Sequence, residues 1–137
     1  MIKDNIRYIA ESLEAQVTQV GAEFNVNLEG DAEIYRLQGI PSGVFGDKLM
    51  RFAEPEWIEC PSYHNDAARC IEALESLSIT LFILPTEDMR KRKPKPFAQE
   101  YIAVFEKAAV IYATLPFINE SAAAACALWY ALGISHD

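Results

Sequence analysis

The sequence predicts an α+β fold in which a small sheet, built from an N-terminal hairpin and central strands, is covered by helices. Three features carry that expectation. Apolar residues recur at spacings of three and four near the N-terminus, an alternating apolar–polar stretch follows, and an alanine-rich stretch closes the chain. At 137 residues the chain suits one domain, able to bury a core without disulfides or metal. Hydrophobic residues make up 51% and charged residues 23%, a balance that folds rather than stays disordered.

Along residues 3–20 the positions Ile2, Ile6, Ile9, Leu13, Val17 and Val20 form one helical stripe, with Gly21 placed to end it. Glu11, Glu14 and Gln19 occupy the opposite face. Such a stripe covers a sheet or pairs with the same helix of another subunit. Phe24, Val26 and Leu28 then alternate with Asn25, Asn27 and Glu29, the pattern of a half-buried strand. A turn at Gly30-Asp31 and a return over Ala32–Leu37 complete the expected hairpin. The segment GIPSGVFG reads as a loop that matches no phosphate-binding fingerprint, and Asp47–Phe52 as a short helical turn. Pro55 and Pro61 keep the next stretch extended. Ser62, Asn65 or Asp66 caps a helix whose buried stripe is Ala67, Cys70, Ile71, Leu74 and Leu77. Residues 79–84, ITLFIL, form a strand ended by Pro85. Over 97–115 the periodicity favours a helix, while the residue types favour strands turning at Glu106-Lys107. The final helix starts at Asn119 or Ser121 and ends at Gly133.

Charge is distributed unevenly. The chain has 12 Lys and Arg against 20 Asp and Glu, net −8. Five of the 12 cations, Arg90, Lys91, Arg92, Lys93 and Lys95, fall in the stretch MRKRKPKP. Without them the remainder holds 7 basic and 20 acidic residues, net −13. An acidic body repels phosphates, so general nucleic-acid binding is not expected, while a local anion contact is. Like charges and Pro94 and Pro96 predict an extended, mobile loop when free. It would lie on an acidic face of this or a neighbouring subunit, on an acidic partner protein or on a phosphate-bearing ligand, or remain solvated. No apolar run approaches the roughly 18–20 residues of a membrane span, and the N-terminus lacks the apolar core of a signal peptide. A cytoplasmic protein that does not enter membranes is expected.

The pattern P-x-Y-x-x-D-A-A at Pro61–Ala68, together with A-x-x-A-L-x-x-A-L-G within Ala123–Gly133, resembles the phage ABA-sandwich domain over residues 60–133. The family's usual Ser or Thr after the tyrosine is His64 here. The resemblance implies a helix–sheet–helix, α-β-α sandwich-like stack. It also implies two strands at 100–105 and 109–114 in place of one helix, and a phage or prophage origin. It transfers no activity to named residues.

Candidate chemistry is sparse. Cys60, His64 and Cys70 raise the idea of a metal or a thiol–imidazole pair. However, C-x3-H-x5-C matches no zinc pattern and has no fourth ligand nearby. Buried packing cysteines, with His64 capping or exposed, is the alternative, and neither a metal nor a cofactor is expected. Three cysteines in a cytosolic setting read as free thiols. Tyr63, His64, Asn65 and Asp66 at a helix start suit either an anion site or simple capping. No G-x-S-x-G, H-E-x-x-H or D-x-D-x-D-G pattern occurs. The expected role is that of a non-enzymatic, phage-type accessory protein, a homo-oligomer in the host cytoplasm. It would sequester an anionic nucleotide-like ligand or block a host protein, as an antagonist of host defence. Arg90, Lys91, Arg92, Lys93, Lys95, Tyr63 and His64 are the expected contact residues. The alternatives are a self-assembling structural protein and a small enzyme using His64 or Cys60.

Overall fold

Asn27 decides the first half of the fold. Its side-chain oxygen accepts from the backbone N–H of Gly30 at 3.0 Å, and its carbonyl accepts from Asp31 N–H at 3.1 Å. With those donors satisfied, helix α1, Leu28–Leu37, starts where the alternation predicts a strand. Glu29 and Asp31 in its first turn and Arg36 in its last suit the helix dipole. The hairpin expected over 24–37 is therefore replaced by a helix. Gly30 marks a close approach rather than a turn, because a Cβ there would stand 1.8 Å from the Asn25 carbonyl oxygen. Gly39, at φ +83°, closes α1, with Ile40 N–H donating back to Tyr35 O at 3.0 Å.

The computed structural model describes residues 18–85 and 100–135. Residues 3–17 of the helix expected over 3–20, and the MRKRKPKP segment, lie outside the described residues. Of that expected helix's C-terminal end, Thr18–Val20 is strand β1, not helix.

Three strands follow α1. They are β2 (Ser42–Phe45), β3 (Lys48–Ala53) and β4 (Glu56–Glu59), an antiparallel meander in the order β2-β3-β4. The expected GIPSGVFG loop thus holds a strand, and the expected helical turn at 47–52 is another. Gly46, at φ +68°, begins the two-residue turn that sets Phe45 opposite Lys48. Leu49, 3% exposed, faces the core beneath α1.

Helix α2, Ala67–Glu75, begins at Asp66, whose carboxylate accepts from Arg69 N–H at 3.1 Å. It buries Cys70 and Leu74, and the turn that follows it closes at Ser78, a non-glycine residue at φ +62°. Then come β5 (Leu81–Pro85), β6 (Tyr101–Lys107) and β7 (Val110–Thr114), with β1 parallel to β7 in a sheet ordered β1-β7-β6-β5. The two strands implied for 100–114 are present. Their turn is Ala108-Ala109, and Glu106 and Lys107 are paired with Ile111 and Val110.

Helix α3, Glu120–Ser135, is the hub. It starts at Asn119, whose side-chain oxygen accepts from Ala122 N–H at 2.7 Å, and it runs through Gly133. Ala122 to Leu128 are all buried, so the helix is enclosed rather than amphipathic. Alanines let Ala103 and Phe105 of the sheet approach on one side and α1 and α2 on the other, in one apolar cluster. At Gly21 the fit is equally tight, since a Cβ would lie 2.2 Å from Cys126 Sγ. Three helices and seven strands in two sheets, with helices on the sheet, make a mixed α+β fold among the described residues.

Candidate functional site

The turn before α2 looked suited to an anion, and the structure supplies one from within. Asp31, fully buried on α1, accepts from the His64 backbone N–H at 2.9 Å, and its second oxygen meets His64 Nδ1. Burial pushes the Asp31 carboxyl above its ordinary range, and His64 opposes that rise. Tyr63 is 4% exposed and its hydroxyl accepts from Gln38 Nε2 at 2.9 Å. Its ring lies 5.0 Å from that of Tyr35 and under the Arg69 guanidinium. The Tyr35 hydroxyl donates to Pro61 O at 2.7 Å and accepts from Arg69 Nη2 at 3.2 Å. Tyr63, buried, and His64, partly buried, thus meet in a polar cluster that ties α1 to the α2 lead-in. His64 is neither a cap nor a freely exposed side chain.

The thiols are quiet. Cys60, Cys70 and Cys126 are free and buried. Cys70 Sγ donates to Tyr63 O at 3.3 Å, and burial pushes this thiol up to about 12. Burial likewise raises Cys60, whose Sγ donates to Leu49 O at 3.7 Å. Neither supplies a ready thiolate for attack or metal binding. Among the described residues no group of three or more His, Cys, Asp and Glu could hold a metal.

Among the described residues, surface hollows also lie elsewhere. One, of about 500 Å³, runs between α1 and α3 past Arg36, Leu37, Trp129 and Tyr130, where Trp129 Nε1 donates to Glu33 at 2.9 Å. Another, of about 290 Å³, lies beside Thr80, Phe82 and Ile111.

The most distinctive open surface is on the meander. Cross-strand partners share a face, so the pairs Gly43↔Met50, Phe45↔Lys48, Phe52↔Trp57 and Met50↔Glu59 put Phe45, Met50, Phe52 and Trp57 on the side away from Leu49. Phe45 is 51% and Trp57 42% exposed. The Phe45 ring lies back over Gly43, 3.8 Å from where a Cβ would stand, and so reaches Trp57. The Phe45 and Trp57 rings meet edge to face at 5.0 Å, and Phe52 adds a third ring 5.5 Å from Trp57. Exposed Glu59 and Lys48 share this face, opposite Met50 and Phe45, with exposed Asp47 and Glu54 in the flanking turns, while Glu56, opposite Ala53, is on the reverse side. Among the described residues the other exposed large hydrophobics, Val26, Leu77, Val110 and Ile118, belong to separate loops and elements. Sequence reasoning missed this face because it took β2 and β3 for a loop and a helical turn. The period-two placement of Met50 and Phe52 was the available signal.

Comparison with family models, with characterised proteins and with solved structures returned no match.

Proposed function

We propose that this chain is a non-enzymatic binding protein whose docking face is the aromatic surface of β2, β3 and β4. One observation carries the reading: two large aromatic rings, Phe45 and Trp57, stand about half exposed and in mutual contact. Holding such rings in water forgoes the gain of burying them, and adjoining exposed aromatics mark interaction surfaces. Trp and Tyr dominate the energetics of such surfaces. Glu59 on the face and Asp47 and Glu54 in its flanking turns outnumber its one cation, Lys48, and favour a cationic protein segment over an anionic nucleotide. The anionic-ligand alternative rests on Arg90, Arg92 and Lys93, which lie outside the described residues. A phage-type accessory protein that blocks a host partner suits a face of this kind, and that origin rests on the resemblance at 61–68 and 123–133.

The test is a panel of proline-bearing peptides, acidic, neutral and basic, titrated onto wild type and onto Phe45→Ser and Trp57→Ala. Truncating a central anchor typically costs about 2 kcal/mol or more, roughly 30-fold in affinity. The reading expects basic peptides to bind wild type and to lose about that factor in each variant, with unfolding midpoints nearly unchanged. Equal binding by all three proteins, or no binding to wild type, would overturn it.

A further inference from the structure

We infer that the occupant of the aromatic face is the basic, proline-bearing segment Met89–Pro96 of a second copy of this chain; the inference rests on the docking face proposed above. Two chemical features of the face meet two of the segment. Glu59 shares the face of Trp57 and Glu54 is exposed in the turn before β4, so carboxylates flank the rings beside one cation on that face, Lys48 opposite Phe45; Glu56, opposite Ala53, is on the reverse side. Arg90–Lys95, R-K-R-K-P-K, places five cations and no carboxylate in six residues. Complementary potentials of this kind set orientation and speed encounter. The rings match as well. Proline rings pack on exposed Trp and Phe faces in proline-rich recognition, and a guanidinium or ammonium is drawn to the face of Trp. Phe45 and Phe52, each in contact with Trp57, offer with it three such rings to a segment carrying Pro94 and Pro96. Three strands span about 10 Å, a width that a few extended residues cross.

A second copy is favoured over other occupants by charge and by symmetry. With the segment set aside, the chain carries net −13, so two bodies repel unless this segment bridges them. Each copy holds both halves of the contact. A reciprocal exchange about a two-fold axis therefore makes the contact twice, as isologous dimers do.

Sedimentation equilibrium with complementing variants tests this. Trp57→Ala keeps the segment and loses the platform. The triple variant Arg90→Gln, Arg92→Gln, Lys93→Gln keeps the platform and loses the cations without adding repulsion. Wild type is expected to dimerise at low salt and to weaken about tenfold or more as salt screens the contact. Each variant alone is expected to stay monomeric, while their mixture associates through the one intact contact, more weakly than wild type. A monomeric wild type at every concentration, variants that dimerise as wild type does, or a mixture that stays monomeric would each overturn the inference. If wild type is monomeric while basic peptides still bind in a Trp57-dependent way, self-recognition fails and the docking face stands. If Trp57→Ala alters neither readout, both fail.

Discussion

Gly39 and Ser78 hold the same post in two helices, and exchanging their chemistry should move stability in opposite directions. Each follows a helix end in the left-handed region, Gly39 at φ +83° and Ser78 at φ +62°. In each case the next N–H reaches back to the helix, Ile40 to Tyr35 O and Ile79 to Leu74 O, both at 3.0 Å. Nothing lies within 4 Å of a Cβ built on Gly39, so Gly39→Ala meets no clash and its cost is conformational alone. An L-residue held there costs roughly 1–2 kcal/mol. Restricting the unfolded chain returns roughly 0.5–1 kcal/mol. The net loss is about 1 kcal/mol, and Ser78→Gly should gain a similar amount by the same reasoning reversed. For a domain of this size that is about 4 °C in Tm. Urea unfolding reads both, as a shift in midpoint with an unchanged m value. A Gly39→Ala protein as stable as wild type, or a Ser78→Gly protein less stable, would refute the reasoning.

Three further outcomes are expected. His64→Ala strips the buried Asp31 carboxylate of its partner and should cost about 3–5 kcal/mol near neutral pH. Since the folded Asp31 pKa lies above 3.8, stability tied to its proton is present below that value and is lost as pH rises through the folded pKa. The His64→Ala penalty should therefore be smaller in acid than at mildly alkaline pH, while Asp31→Asn, which keeps an acceptor for the His64 N–H, should flatten this dependence; equal penalties in paired urea titrations would argue against it. Gly30→Ala drives a Cβ into the Asn25 carbonyl oxygen and should cost about 3 kcal/mol or more, read as loss of helicity or a lowered midpoint. The three thiols, buried and with Cys70 and Cys126 pushed up to about 12, should react with a disulfide reagent only on unfolding; rapid modification of the native protein would contradict that burial.

What was legible in the sequence followed from local chemistry that tertiary contacts do not reverse. Asp66 caps α2, Asn119 caps α3, and the alanine run signals a helix that others approach closely. ITLFIL signalled a strand through its β-formers, although β5 starts only at Leu81 and takes in Pro85, which pairs with Tyr101. The error at 24–37 has a specific cause. Leu28, Ala32 and Tyr35 also fit the helical period, and Asn27 fits the alternating pattern as a polar residue although it is the helix cap. Gly30 looked like a turn because its role is steric, set by the Asn25 carbonyl, which no local pattern reveals. That error hid Asp31, and with it the partner of His64. The aromatic face was illegible for a different reason. Phe45 and Trp57 stand twelve positions apart, and only strand register brings their rings together.

The most direct measurement is a titration of the peptide MRKRKPKPF onto the 15N-labelled protein, followed through backbone amides and the indole N–H groups. The account expects the Trp57 indole and the amides of β2, β3 and β4 to shift together and saturate, while the Trp129 indole stays in place. Shifts centred on His64, or on the α1–α3 hollow beside Trp129, with the Trp57 indole unmoved, would contradict it.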